Sequence, residues 1–574
     1  MNSSEFPDVF ARLVADAVPG MLKHQRADGA IVIDEKAPIV YPQQAIFPLA
    51  FCFAGKDPEQ RYTGAPELAR AIQKLGTFLV ERFNEKGEFE YDSYGYAVKG
   101  VDQRLTHAWT EALFLLREAK ADFDYASWSD RIERACATLI EHRLRKLQGL
   151  RRFVGRVLGT GTNHVALYLS TVYRAGIVLQ KPALCEFALP IARAFAADVH
   201  PDGYWDEHSD LLRAGGPTPL YNYLSHGAVS LFYAWTREPV FRAAIDRSTR
   251  FHANFTYPDA RLFELIDERV RAGHDDKPSV WGLFGFSHSA EGRGSAIAHF
   301  TGWRDAVKDI DSVSPELLSR LCENFLYWEP GDAVTPPFAR PGHTAKLILP
   351  AGIFRRGAWC VGLSCMRATN VEDPAYLDNP FALERQKLFS VWHEKTHLLI
   401  DGSHSKKQPE NSTFSAHTPY SIDYWPCGGA VGEEDADLVA RATYKTFCGE
   451  VRVRPLSDQT LQLDFSVDPA GNRGPFTVAF TLMKRADRVA GLNGKEMVLG
   501  ETHFELIAAD CGGGFRYGQA VIEGPPDLKL NWPLAPFNSY TADHKAWPAQ
   551  HQLRISLELT PERTHASVTI RVNG

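Results

Sequence analysis

The sequence predicts an α+β multidomain chain, an N-terminal (α/α) toroid followed by a C-terminal antiparallel β-sandwich. Three observations predict it. Helical periodicity dominates about the first 325 residues, short β-type runs fill the remainder, and a Pro-rich segment divides the two textures. In chain order the helical runs include "ELARAIQKLGTFLVERF" (67–83), "LTHAWTEALFLLREAKA" (105–121), "SDRIERACATLIEHRLRKL" (129–147), "NHVALYLSTVYRAGIVL" (163–179), "CEFALPIARAFAADV" (185–199) and "SPELLSRLCENFLYW" (314–328). Their similar lengths, their Gly-, Pro- and Asp-bearing connections and the lack of alternating strand runs between them favour paired helices over a doubly wound sheet. No fixed period repeats, which argues against a short-repeat solenoid. After "EPGDAVTPPFARPGH" (329–343) come runs such as "THLLIDG", "TLQLDFSV", "FTVAFTLM" and "ASVTIRV", punctuated by Gly, Asn, Asp and Pro at sandwich-like spacing. The expected domains are therefore 1–328, a linker at 329–343, and 344–574.

Composition narrows the function classes. With 574 residues, 44% of them hydrophobic, the chain can bury more than one core. A formal net charge of −7 gives no global attraction for nucleic acid or an acidic membrane, so neither is an expected partner. Nine scattered cysteines without a CxxC pair argue against a disulfide framework or a zinc knuckle. The start "MNSSEFPDVFARLVADAVPG" lacks the basic and apolar regions of a signal peptide, and no later run has the length of a membrane span. A cytoplasmic location is expected, or a periplasmic or secreted one if a leader has been removed.

Three clusters carry residue types suited to catalysis. Asn163 and His164 follow "GTGT" where a helix should begin; unpaired N–H groups and the positive dipole end there favour an anion and disfavour a protonated imidazole. A carboxylate binder beside a neutral base fits that place, as does an N-cap beside a packing histidine. The second cluster, "HPDGYWDEHSDLLRAGGPTPLYNYLSHGAVSLFYAW" (200–235), offers Trp205 and Glu207 ahead of a helix opening with Tyr221, Tyr223 and His226. Rings can stack on pyranose faces while polar groups take hydroxyls; the same tyrosines could equally be core residues. The third cluster supplies Arg269, His288 and Arg293, with arginines suited to bidentate carboxylate capture or to ion-pair networks. Arg104 and His107, within "YDSYGYAVKGVDQRLTHAWTEAL", are further subsite candidates.

An Asn-His pair opening one helix, a tyrosine 57 positions after His164 opening another behind a "DG-aromatic…E" segment, and "ERQKLFSVWHEKTHLLIDGSHSKKQPENSTF" (384–414) in the β half together resemble the heparinase II/III-like and alginate or oligoalginate polysaccharide lyases. The resemblance implies β-elimination from a uronic-acid-containing oligo- or polysaccharide. Asn163 would neutralise the carboxylate, His164 would serve as base or assist it, and Tyr221 would be the acid or acid/base, with Tyr223 its nearby competitor. The chemistry suits these residue types, because the C5 proton becomes removable once the adjacent carboxylate is neutralised, and an acid must protonate the departing C4 oxygen. No cofactor is required for that step. The resemblance also raises a structural divalent metal in the β domain, for which His393, Asp401 and His404 are candidates, with ordinary strand histidines as the other reading. A homo-oligomer is left open. Two further readings remain at this point: a glycoside hydrolase on the same toroid, with Asp206 or Glu207 as acid and Asp202 or Asp210 as partner, and a glycan-binding protein without catalysis.

Overall fold

The computed structural model describes residues 6–34, 38–93, 96–153, 161–207, 215–267, 269, 279–367, 379–417, 421–541 and 543–573. They form two compact units. The helical unit comprises 1–214, 221–251 and 277–336; the β unit comprises 215–220, 252–276 and 337–574. The two segments 215–220 and 252–276, which the sequence places among the helices, thus group with the strands.

In the helical unit the long helices begin and end where local chemistry directs. Asp102 accepts the Leu105 N–H at 2.8 Å to start Gln103–Glu118, and Ser314 with Pro315 at the first turn starts Pro315–Tyr327. Helix Thr162–Val178 packs against both Gln103–Glu118 and Pro182–Ala197. The first helix, Phe6–Asp16, packs against Pro315–Tyr327, so the two ends of the helical series meet, as a toroid requires. One departure from the expected all-helical half is an antiparallel pair of strands, Phe89–Ser93 with Tyr96–Gly100.

Buried charge, rather than apolar packing alone, ties the helices together. Arg174 makes two 2.8 Å bonds to the Glu111 carboxylate, with Arg174 at 6% and Glu111 at 0% exposure. Burial works against the guanidinium, yet Glu111 outweighs it and holds the Arg174 pKa above its ordinary value. Tyr327 donates to the same carboxylate at 3.3 Å.

The β unit is a sandwich. One sheet runs, in spatial order, Gly428–Glu434, Asp437–Thr443, Cys448–Ser457, Thr460–Asp468, His565–Val572, Ala520–Glu523, Gly514–Tyr517, Arg488–Gly491 and Glu496–Val498. The other runs Phe504–Ile507, Lys529–Leu534, Gln552–Leu559, Phe476–Leu482, His397–Asp401, Phe389–His393, Trp359–Ser364, Ala351–Arg356 and Thr344–Lys346, with Phe414–His417 also pairing to Phe476–Leu482 and Ile422–Asp423 pairing to Phe414–His417. The described pairings are antiparallel. Period-two alternation sends Val451, Val453, Leu463 and Ile570 from the first sheet and Phe354, Val361, Phe480 and Ile555 from the second into one shared core. Among the described residues no helix is long and apolar enough to cross a membrane.

Candidate active site

The helix bearing the Asn-His pair starts one residue earlier than its polar pair suggests. Its N-cap is Gly161, whose place is taken without any side-chain capping bond, so Asn163 is not the cap. Thr162 donates from Oγ1 to Glu207 Oε2 at 3.2 Å, and Glu207 is only 2% exposed. A Cβ on Gly161 would collide with the Glu207 carboxylate and with Asn163 Oδ1, which shows how closely these groups crowd the helix start. The anion that the helix N-terminus favours is therefore supplied by the chain's own Glu207. Asn163 is 2% exposed and fixed by this packing, whereas His164, the next residue, is exposed.

Tyr221 is the third residue of helix Pro219–Thr236 and is half-buried. The entry to that helix is braced from a distance. Within the β unit, the fully buried Asp267 accepts the Leu220 N–H at 3.3 Å and the Arg269 N–H at 2.7 Å, acting as a cap 47 positions away in sequence. Asn222 accepts the Trp205 N–H at 2.8 Å, which locks the 204–207 segment onto the same helix.

The other candidates have different employment. Tyr223, the competitor of Tyr221, is 0% exposed, with its hydroxyl 2.8 Å from His299 Nε2, so its ring and hydroxyl face the interior. His226 is fully buried against Phe286, and Trp205 is 3% exposed, stacked on Phe195 and donating from Nε1 to the Phe195 carbonyl at 3.0 Å. Neither presents a face to a sugar. His107 lies 3.2 Å from Glu323 Oε1 inside the helical unit; burial raises the Glu323 carboxyl, but Arg320 and His107 outweigh it and hold it below the usual range. Arg104 is committed to Glu316 at 2.6 Å and lies over the Tyr41 ring. His288 pairs through Nδ1 with Glu329 at 2.8 Å. Arg293 donates to the carbonyls of Asp332 and Ser287, clipping helix Ala290–Ala306 to the following loop rather than holding out a fork for a carboxylate. Arg269, in the β unit, lies 5.0 Å over the Phe381 ring.

The expected metal ligands are not arranged as a centre. Among the described residues no group of three or more His, Cys, Asp or Glu is placed to hold an ion. His393 is paired with His397 across a hairpin. His393 accepts the Lys395 N–H at Nδ1 and donates from Nε2 to the Asp458 carbonyl, so both ring nitrogens are spent. Asp401 is neutralised by the buried Lys387 at 3.2 Å and hydrogen-bonded by Ser403 and Gln552. His404 donates to the Leu265 carbonyl at 2.9 Å.

Two of these histidines set a pH dependence. Desolvation pushes the pKa of fully buried His226 and His404 from 6.5 down to about 3. The unfolded chain takes up both protons as pH falls below 6.5, while the folded chain refuses them until about 3. Stability is therefore complete above pH 6.5 and is lost on acidification by about 1.4 kcal/mol per pH unit per histidine. Denaturant midpoints measured from pH 7 to 4.5 should fall accordingly, and His404→Gln, which keeps a donor for the Leu265 carbonyl, should remove about one proton from the dependence. A midpoint insensitive to pH in this range would contradict the assignment.

No family model matches the sequence, and no curated protein matches it. Solved structures do match the fold. Heparinase III aligns over 96% of this chain and 80% of its own at a TM-score of 0.52 and 11% identity. Xanthan lyase from Paenibacillus aligns over 100% of this chain at a TM-score of 0.54 and 11% identity, and this chain spans 57% of the length of that protein. The likeness shows the expected architecture, helical toroid followed by antiparallel β-sandwich.

Proposed function

We propose that the chain is a polysaccharide lyase that cleaves a uronic-acid-containing oligo- or polysaccharide by β-elimination. The observation that carries the reading is selective exposure. Of the acid–base candidates on helices Thr162–Val178 and Pro219–Thr236 and the segment 204–207, His164 and Tyr221 keep accessible surface while Tyr223, His226 and Glu207 are sequestered. The architecture shared with heparinase III and xanthan lyase supports the same class of reaction.

In this scheme Asn163 receives the uronate carboxylate on its amide. Asn163 is only 2% exposed, so in this scheme the carboxylate reaches its amide once substrate binding uncovers the helix start, and the amide then donates to the developing enolate-like charge. His164 takes the C5 proton. Tyr221 gives its proton to the C4 oxygen as the C4–O bond breaks and the C4–C5 double bond forms, and the proton on His164 restores the phenol through solvent. The buried Glu207 stands at the helix start and braces Thr162, which counts against it as the acid of the hydrolase scheme; Asp202 and Asp206 are half-buried, and Asp210 lies outside the described residues. The reaction calls on no cofactor.

Product analysis on a panel of glucuronate, galacturonate, mannuronate and guluronate oligosaccharides tests this directly. Elimination adds no water, so the fragment masses should sum to that of the substrate, and one fragment should absorb in the ultraviolet. Saturated fragments whose masses sum to substrate plus one water would establish hydrolysis instead.

A further inference from the structure

The β unit holds a pocket of about 450 Å³ lined by polar side chains, a volume within the range of small-molecule sites. Strand register builds it. Glu505, Asn531 and Arg554 stand in one cross-strand row, with Lys529 and Ser556 side by side in the next. On these same strands Leu506, Leu530 and Ile555 alternate into the core, so the polar row is the outward face. A register shift between Asn531 and Leu534 brings Pro533 and Leu534 into the wall.

The charges in the pocket are unequally satisfied. Glu505 accepts from Asn531 Nδ2 at 2.8 Å and lies 3.8 Å from Lys529, and Asp527 lies 3.0 Å from Arg563. Glu558 is exposed on the strand that carries Arg554. Among the described residues Arg554 has only neutral hydrogen-bond partners, the Glu410 carbonyl at 2.8 Å from Nε and Ser556 Oγ at 3.1 Å from Nη1, and no ion pair of those residues includes it. Burial lowers its pKa, against the pull of Glu410 and Glu505. A partly desolvated guanidinium without a carboxylate gains most from an incoming one.

We propose that this pocket is a second, non-catalytic saccharide site that takes a carboxylate-bearing sugar unit. Arg554 meets the carboxylate, Asn531, Ser556 and Lys529 meet hydroxyls, and Pro533 and Leu534 lie under the C–H face of the ring. The choice of a uronate as the carboxylate rests on the function proposed above.

The test is calorimetric titration of Tyr221→Phe protein, which turns substrate over slowly, with a glucuronate trisaccharide. Two equivalents should bind, and Arg554→Met should reduce this to one or weaken the second by at least tenfold. Because Arg554 also braces the Glu410 carbonyl, Asn531→Ala and Lys529→Ala serve as milder variants and should each weaken the same equivalent. Neither variant should alter formation of unsaturated product when introduced with Tyr221 intact. Unchanged stoichiometry and affinity in all three variants, or a neutral glucose trisaccharide binding the pocket equally well, would overturn the proposal. Repeating the titration with free glucuronic acid, which has no glycosidic bond for either a lyase or a hydrolase to cleave, keeps the test of the pocket independent of the reaction class, so the two failures are distinguishable.

Discussion

Turnover of Tyr221→Phe is expected to fall by about a hundredfold or more, with substrate affinity little changed. The substitution keeps the aromatic ring and removes only the hydroxyl, so it deletes a proton-transfer group without deleting the surface that contacts sugar; general acid catalysis is typically worth about 10²–10⁴ in rate. Tyr223→Phe supplies the control. Its hydroxyl is bonded to His299 in the interior, so that variant should lose stability but retain most of its turnover. Asn163→Ala should also depress turnover, because the developing charge on the uronate loses its donor. Initial rates of ultraviolet-absorbing product across substrate concentrations separate these effects. Tyr221→Phe with full turnover would remove Tyr221 from the chemistry.

The largest stability effect is expected from Arg174→Met. The substitution leaves the Glu111 carboxylate buried at 0% exposure with its bidentate partner gone, and breaking a buried pair from one side costs about 3–5 kcal/mol. The double variant Arg174→Met with Glu111→Leu should recover much of that loss, since it removes both charges and fills the space with apolar volume. Urea unfolding of the two single variants and the double variant forms the cycle. The pair joins helix Gln103–Glu118 to helix Thr162–Val178, which carries Asn163 and His164 in its first turn, so the single variant should also impair catalysis through displacement of that helix.

The architecture was legible because it rests on periodicity, which is local. Runs such as "ELARAIQKLGTFLVERF" and "TLQLDFSV" declare their period within a few residues, and they became Pro66–Arg82 and Thr460–Asp468. The pairing of Phe89–Ser93 with Tyr96–Gly100 was not legible because two five-residue strands are too short to declare a period inside a helical context. Site residues were harder, since their roles depend on partners far along the chain. Tyr221 and Tyr223 look interchangeable in sequence, yet two positions on a helix face widely different directions, and only His299, 76 positions on, reveals which is interior. Trp205 looked like a sugar platform until Phe195 covered it, and His393 and His404 looked like ligands until the carbonyls of Asp458 and Leu265 claimed them. The cap that Asp267 gives to Leu220 has no signature in the sequence beyond an aspartate.

The interleaved membership of the two units bears on how the protein is made. Residues 252–276 leave the ribosome among the helices, yet their partners are strands synthesised later: Tyr257 bonds Ser390, Glu264 accepts the Gly402 N–H, and Phe263 packs against Gly362. During synthesis this segment must wait with Tyr257, Phe263, Leu265 and Ile266, all 0% exposed in the finished fold, still uncovered. A gene truncated at Pro336 would make that interval permanent. The helical product would carry an orphaned apolar strip and aggregate, and the β product would lack part of its own interior, so the two halves are not modules that recombination could exchange at the Pro-rich junction.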